Sequence, residues 1–261
     1  MSNYGLILLA EDNVVNQTVT TLLLSKLGYT VEIAANGRQA VDAVRSRKNY
    51  LVILMDCMMP EMDGFEASRA IREIQKQYDV YTPIIAVTAM AMAGDHERCI
   101  QAGMDDYMTK PINKEILSIK ISHWSKQETV SRNQSLAEQH PLSSSVTASA
   151  PLDLNALTAF YETTDLREIL ASFMKATPAI LDELQLAVAA RDAGVTIHLA
   201  HELKSSGTTL GAKDLVKLAL YLQHLAGTRN WPEIEQTTQD LYVSYQQVEK
   251  FIRSKLSISK V

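Results

Sequence analysis

At 261 residues the chain has room for one large domain or two ordinary ones, and a hydrophobic content of 46% suffices for a sizeable core. A net charge of −5 without a dense Lys/Arg tract argues against a general nucleic-acid binder. The two cysteines, Cys57 and Cys99, are too few for a disulfide framework and lack metal-ligand spacing, which suits a reduced, cytoplasmic setting. No apolar run approaches the roughly 20 residues that span a bilayer, so no membrane insertion is expected. The start, Met1-Ser2-Asn3-Tyr4, lacks the charged segment of a secretion signal.

The first ~123 residues alternate short apolar runs with amphipathic stretches, the pattern of a parallel sheet wrapped by helices. Strands are predicted at 5–10, 30–34, 51–56, 83–88 and 106–108. Helices are predicted near 14–27, 37–47, 64–77, 94–102 and 113–122. Asn13, Asn36 and Asp63 are placed as helix N-caps, and Gly28 and Gly103 as helix-ending glycines. This gives a (βα)5 doubly wound domain. Residues 124–152 are rich in Ser, Thr, Gln and Asn and read as a flexible tether with an r.m.s. span of roughly 30 Å. From residue 153 the pattern is wholly helical, with helices near 155–161, 166–190, 195–206, 212–226 and 232–256. Leu166, Ile169, Leu170, Phe173, Ile180, Leu184 and Val188 form one apolar stripe. Short connections containing Gly194, Gly211 and Gly227 favour antiparallel neighbours, hence a bundle.

Polar residues collect at the carboxyl ends of the predicted strands, where a doubly wound sheet binds its ligands. Glu11 and Asp12 follow the first strand, Asp56 ends the third, Thr88 ends the fourth and Lys110 follows the fifth. Clustered carboxylates repel one another and call for a cation, and an all-oxygen set favours Mg²⁺. Lys110 and the Thr88 hydroxyl can then hold phosphate oxygens. Met58, Met59 and Met62 read as loop packing, and Cys57 as a packed thiol.

The runs Leu9-Ala10-Glu11-Asp12-Asn13, Met55-Asp56-Cys57-Met58-Met59-Pro60-Glu61-Met62-Asp63-Gly64, Val87-Thr88-Ala89 and Asp105-Asp106-Tyr107-Met108-Thr109-Lys110-Pro111 resemble response-regulator receiver domains. Asn13-Val14-Val15-Asn16-Gln17 is most similar to the receivers of hybrid sensor histidine kinases. The resemblance implies a CheY-like, flavodoxin-like fold with Asp56 as phosphoacceptor. It implies Asp12, Asp56 and the backbone carbonyl of Met58 as Mg²⁺ ligands, with Glu11 acting through water. It further implies a Lys110 paired with the phosphoryl group, a cis Lys110–Pro111 bond, and Thr88 and Tyr107 as a switch pair.

The second constellation is a single histidine. His201 has Lys204 and Ser205 three and four residues on, all on one helix face. Ser205 is small enough to admit a partner surface, and Lys204 brings positive charge beside a phosphoryl group. Neutral imidazole is a competent nucleophile near pH 7. Leu199, Leu203 and Leu210 anchor the opposite side, and Gly207 and Gly211 are expected at the helix end. A metal pair of His198 and His201 lacks a third ligand in the sequence. His224 is expected to pack near the bundle, while His96, His123 and His140 carry no motif. The run from Ile197 to Ala212 resembles histidine phosphotransfer (HPt) domains, which implies an exposed phosphoacceptor His201 on a four-helix bundle.

The resulting organisation is a receiver over residues 1–123, a tether over 124–152, an HPt domain over 153–256 and a tail over 257–261. The expected function is a two-component phosphorelay. A histidine kinase charges Asp56, and phosphate passes through His201 to or from a partner response regulator. One alternative is the C-terminal receiver–HPt portion of a larger hybrid sensor histidine kinase; another is a phosphate sink or phosphorylation-dependent binding regulator. No nucleotide-binding Gly-rich segment is visible, so the chain itself is not expected to use ATP. Nor is direct DNA binding expected, since no helix-turn-helix candidate is found. The receiver helices offer a homodimer or kinase-docking face.

Overall fold

The computed structural model describes residues 4–88, 93–125, 151–152, 157–158 and 161–256. The expected tether and tail fall almost wholly outside them. The first domain is a five-stranded parallel sheet in the order β2-β1-β3-β4-β5. Its strands are β1 (Leu6–Ala10), β2 (Thr30–Ala34), β3 (Tyr50–Asp56), β4 (Ile84–Thr88) and β5 (Asp106–Thr109). Five helices alternate with them: α1 (Val14–Lys26), α2 (Gly37–Arg45), α3 (Gly64–Tyr78), α4 (Ala93–Gln101) and α5 (Lys114–Ser125).

Successive strand residues face opposite sides of a sheet, so strands covered on both faces must be apolar throughout. Ile7, Leu9, Val52, Leu54, Ile85 and Val87 point to the side of α1 and α5. Leu8, Ala10, Ile53, Met55, Ile84 and Ala86 point to the side of α2, α3 and α4. The three caps read from the sequence are in place. Asn13 accepts from the backbone of Val15 and Asn16, Asn36 accepts from Gln39, and Asp63 forms a capping box with Glu66. Helix α5 continues to Ser125, past the helix end expected at 122 and into the start of the expected tether.

Among the described residues the second domain is a ring of four helices, α6 (Thr163–Ala189), α7 (Ala193–Leu210), α8 (Lys213–Thr228) and α9 (Trp231–Leu256); the helix expected at 155–161 lies mostly outside the described residues. The predicted stripe on α6 is buried, with Ile180 partly so. All four helices are longer than the periodicity suggested. Gly194, Gly207 and Gly227 lie inside helices rather than in connections, and only Gly211 is a terminator, with φ +68°. Gly207 has a packing reason to be glycine: a Cβ there would lie 2.9 Å from Val216 Cγ2, so its absence lets α7 and α8 approach closely. His224 is exposed rather than packed against the bundle.

The two domains share one continuous apolar cluster, running from the β1 and β3 face through Val15, Val19 and Leu23 of α1 into the bundle. Helix α1 packs directly on α6 and α7. Among the described residues no helix is long and apolar enough to cross a membrane.

Candidate functional site

The acidic pocket is assembled at three strand ends. Glu11 and Asp12 occupy the turn between β1 and the Asn13 cap. Asp56 closes β3, and the loop after it folds straight back, with Gly64 N donating to Cys57 O at 3.1 Å. A Cβ on Gly64 would collide with the Asp56 carbonyl, so this return needs glycine. Met58 is half exposed, and its backbone N–H donates to Asp56 Oδ1 at 3.1 Å. Lys110 follows β5; its backbone N–H donates to Thr88 O at 2.8 Å, and the Lys110–Pro111 bond is cis.

These turns bring Glu11, Asp12, Asp56 and Lys110 together. Lys110 Nζ reaches Asp56 Oδ2 at 2.5 Å and Glu11 Oε2 at 2.7 Å, with all three side chains buried. Ligand oxygens of Glu11, Asp12 and Asp56 lie within 4.8 Å of one another. One ammonium cannot offset three buried carboxylates. Burial, then the neighbouring acids, push Glu11 up to about 8 and Asp12 up to about 7, although Lys110 opposes both. Burial alone would lower Lys110, but Asp56 and Glu11 outweigh it and hold its pKa above the ordinary lysine range. Asp12 Oδ2 is buried without a hydrogen-bond partner. A pocket with surplus negative charge and an unsatisfied carboxylate oxygen fits a hard divalent cation.

Thr88 lies at the pocket's margin, its carbonyl accepting from the Lys110 backbone, and Tyr107 sits on the neighbouring strand β5. Thr88 ends β4, one position beyond the Val87 that pairs with Asp56. The half-buried Tyr107 ring meets His96 edge-on, with centroids 5.1 Å apart. Cys57 is a buried thiol; a hydrogen bond with Cys99 and burial raise its pKa far above the thiol range, consistent with packing.

Helix α7 lies over this pocket. Its face carries His201, Lys204, Ser205 and Ser206, all buried. The sequence resemblance led to an exposed histidine, but His201 is only 8% exposed because the first domain covers it. Burial, then Lys204, lower the His201 pKa to about 4, with Asp56 pulling the other way, so the imidazole is neutral near pH 7. Burial, then Lys110, also lower Lys204. The seat is polar and specific. Asn13 Nδ2 donates to Ser206 Oγ at 2.8 Å and to Glu202 O at 3.2 Å. Asn16 Nδ2 donates to Ser205 Oγ at 2.8 Å, and Thr209 Oγ1 donates to Asn16 Oδ1 at 2.8 Å. Further along α1, Thr18 meets Ser172 at 3.0 Å, and Lys26 Nζ lies 2.5 Å from Asp165 and 3.0 Å from Glu162.

His198 does not pair with His201 as a metal site. Its Nε2 lies 3.0 Å from Glu202 Oε1 and 4.0 Å from Asp12 Oδ2, so it faces carboxylates. Sequence reading missed the interdomain roles of Asn13, Asn16, Glu202 and Thr209. Asn13 and Asn16 stood out in the Asn-Val-Val-Asn-Gln run, but a cap and a contact across domains look alike in one dimension.

Residues 7–122 match the response regulator receiver domain family, and residues 168–250 match the Hpt domain family. Hybrid signal transduction histidine kinase I of Dictyostelium discoideum is 49% identical over 115 residues, covering 42% of this chain and 7% of that protein. Probable histidine kinase 2 of Oryza sativa subsp. indica is 45% identical over 121 residues, covering 41% of this chain and 12% of that protein. The chain thus spans only a small part of the curated relatives it matches. The receiver domain of a sensor histidine kinase from Pseudomonas aeruginosa PAO1, crystallised with magnesium in its active-site cleft, is 47% identical. It covers 46% of this chain and 97% of its own, with a TM-score of 0.42. The two family matches fall on the sheet domain and the helical bundle respectively, so the chain carries a response regulator receiver domain followed by an Hpt domain.

Proposed function

We propose that this chain passes a phosphoryl group between Asp56 and His201 within one molecule. The observation that carries the reading is the seat of the chain's own α7 over its own acidic pocket, held by Asn13 and Asn16. An upstream histidine kinase, of the hybrid class to which the relatives belong, charges Asp56, and a downstream response regulator exchanges phosphate with His201. Either partner must first displace the covering domain, since both acceptors are buried in the closed form. The domain limits proposed are 1–123 and 153–256, joined by the tether over 124–152.

In the transfer step the unprotonated ring nitrogen of His201 attacks phosphorus. The N–P bond forms as the bond between phosphorus and the Asp56 oxygen breaks, and Asp56 leaves as a carboxylate facing Lys110 Nζ. The second ring nitrogen keeps its proton during the step. Lys110 offsets charge on the phosphoryl oxygens, and Lys204 does so from the α7 side. Thr88 is assigned an oxygen that Lys110 does not hold, and Tyr107 the paired switch role. Glu11, Asp12, Asp56 and the Met58 carbonyl would hold Mg²⁺, whose charge, when bound, offsets that of the phosphoryl group. The unpartnered Asp12 Oδ2 supports this assignment.

Labelled acetyl phosphate tests the reading in the full chain. Wild type should acquire base-labile phosphate on Asp56 and then base-stable phosphate on His201, at a rate independent of protein concentration. Asp56→Asn should acquire neither, and His201→Gln only the base-labile label. Base-stable label in Asp56→Asn, or a transfer rate proportional to concentration, would contradict the intramolecular path.

A further inference from the structure

Asn16 is 4% exposed, and its amide makes three bonds in three directions. Nδ2 donates to Glu11 Oε1 at 2.9 Å and to Ser205 Oγ at 2.8 Å, while Oδ1 accepts from Thr209 Oγ1 at 2.8 Å. One side chain therefore joins the acidic pocket to the helix that bears His201. His201, Ser205 and Thr209 succeed one another at four-residue spacing and share one face of α7. Asn16 thus reads hydroxyls on two successive turns beyond the acceptor. A slip of α7 by one turn would move the imidazole about 5.4 Å along its axis. That slip would carry one hydroxyl into the place of the other and leave Asn16 with one of its two bonds to α7 unmade.

The side-chain chemistry is demanding. A carboxamide supplies two donors and an acceptor from one planar group. Aspartate would supply no donor and would add charge beside Glu11. An aliphatic residue would leave buried hydroxyls unpartnered. Ser205 has its own reason here: glycine at that position would offer Asn16 no acceptor.

We propose that Asn16 is a specificity-determining positioning residue that sets the register of the Hpt helix over Asp56. It selects partner helices bearing hydroxyls four and eight residues beyond the acceptor histidine, a requirement this chain's own Hpt domain meets. The same amide holds Glu11, so docking and the cation pocket are oriented by one group. This inference rests on the Asp56–His201 transfer reading.

The test follows the conversion of base-labile into base-stable phosphate in the full chain, with Mg²⁺ and labelled acetyl phosphate. Four proteins are compared: wild type, Asn16→Ala, Ser205→Ala/Thr209→Val, and the triple variant. The conversion rate constant, taken separately from the extent of Asp56 labelling, should fall about tenfold in the first two variants. In the triple variant it should fall no further, because both sides of the same bonds are gone. Thr209→Ser, which keeps the hydroxyl, should convert at close to the wild-type rate, whereas the near-isosteric Thr209→Val should not. Multiplying effects in the triple variant would overturn the inference, as would loss confined to Asp56 charging with an unchanged conversion rate. Absence of base-stable phosphate in wild type would instead overturn the transfer reading, and this inference with it.

Discussion

The receiver pocket and the histidine face are built by opposite means. The pocket draws Glu11 and Asp12, Asp56 and Lys110 from three strand ends that meet only in the folded sheet, and it concentrates charge in a buried space. The histidine face comes from a single helix, and its acceptor is made neutral by burial rather than by an ion pair. The difference teaches a division of labour. On the proposed transfer, the receiver holds the groups that stabilise a moving phosphoryl group, and the Hpt domain contributes the nucleophile from one helix.

The strongest way to break this comparison is to disable the pocket alone. Lys110→Ala should slow labelling of Asp56 by acetyl phosphate about a hundredfold, the size expected when one preorganised charge partner is removed. His201 labelling should fall in step, and Lys204→Ala should slow only the second step. Equal loss of both steps in Lys204→Ala would erase the division.

Acidity sharpens the contrast next. In the closed form His201 is held near pKa 4, below the ordinary imidazole value. The open form therefore takes up a proton first as pH falls. Stability of the joint is present above about pH 6.5 and is lost on acidification, by about tenfold at pH 5.5. Distance measurements between labels on the two domains should show opening over that range, and the His201→Gln chain should lack this component. The carboxylate pKa values are shifted the other way, upward. Glu11 near 8 and Asp12 near 7 retain protons at neutral pH that a cation must displace. Mg²⁺ affinity should thus rise by roughly 500-fold between pH 6 and 8 if both protons are displaced, with proton release detectable by calorimetry. An affinity flat in pH would contradict the raised carboxylate pKa values. The smallest effect is expected at the margin. Lys26→Ala removes the pairs with Glu162 and Asp165, and the slight opening it causes should vanish at high salt.

Much of the architecture was legible in the chain. Runs such as Leu51–Met55 are apolar at every position because both faces of the strand are covered, and alternation is lost for the same reason. Caps at Asn13, Asn36 and Asp63 are local bonds, and local bonds leave local signals. Helix lengths in the bundle were less legible. Gly194, Gly207 and Gly227 looked like punctuation, yet tertiary packing carries the helices through them, and Gly207 is needed for the approach of α8. At the site, residues conferring charge were visible by type and order. The contacts of Asn16 with Ser205 and Thr209 were not, because they join residues 189 and 193 positions apart, and no periodicity records such a distance.

One feature of the joint reaches beyond chemistry. The apolar cluster passes through α1 without a break, so this helix is a wall of the receiver and a support of the bundle at once. Opening the joint must wet part of that surface. The associated heat-capacity change makes the apolar part of the adhesion weaken on cooling, while the hydrogen bonds of Asn13 and Asn16 remain. The adhesion between α1 and the bundle should therefore loosen as the temperature falls, its apolar part fading while its polar part persists.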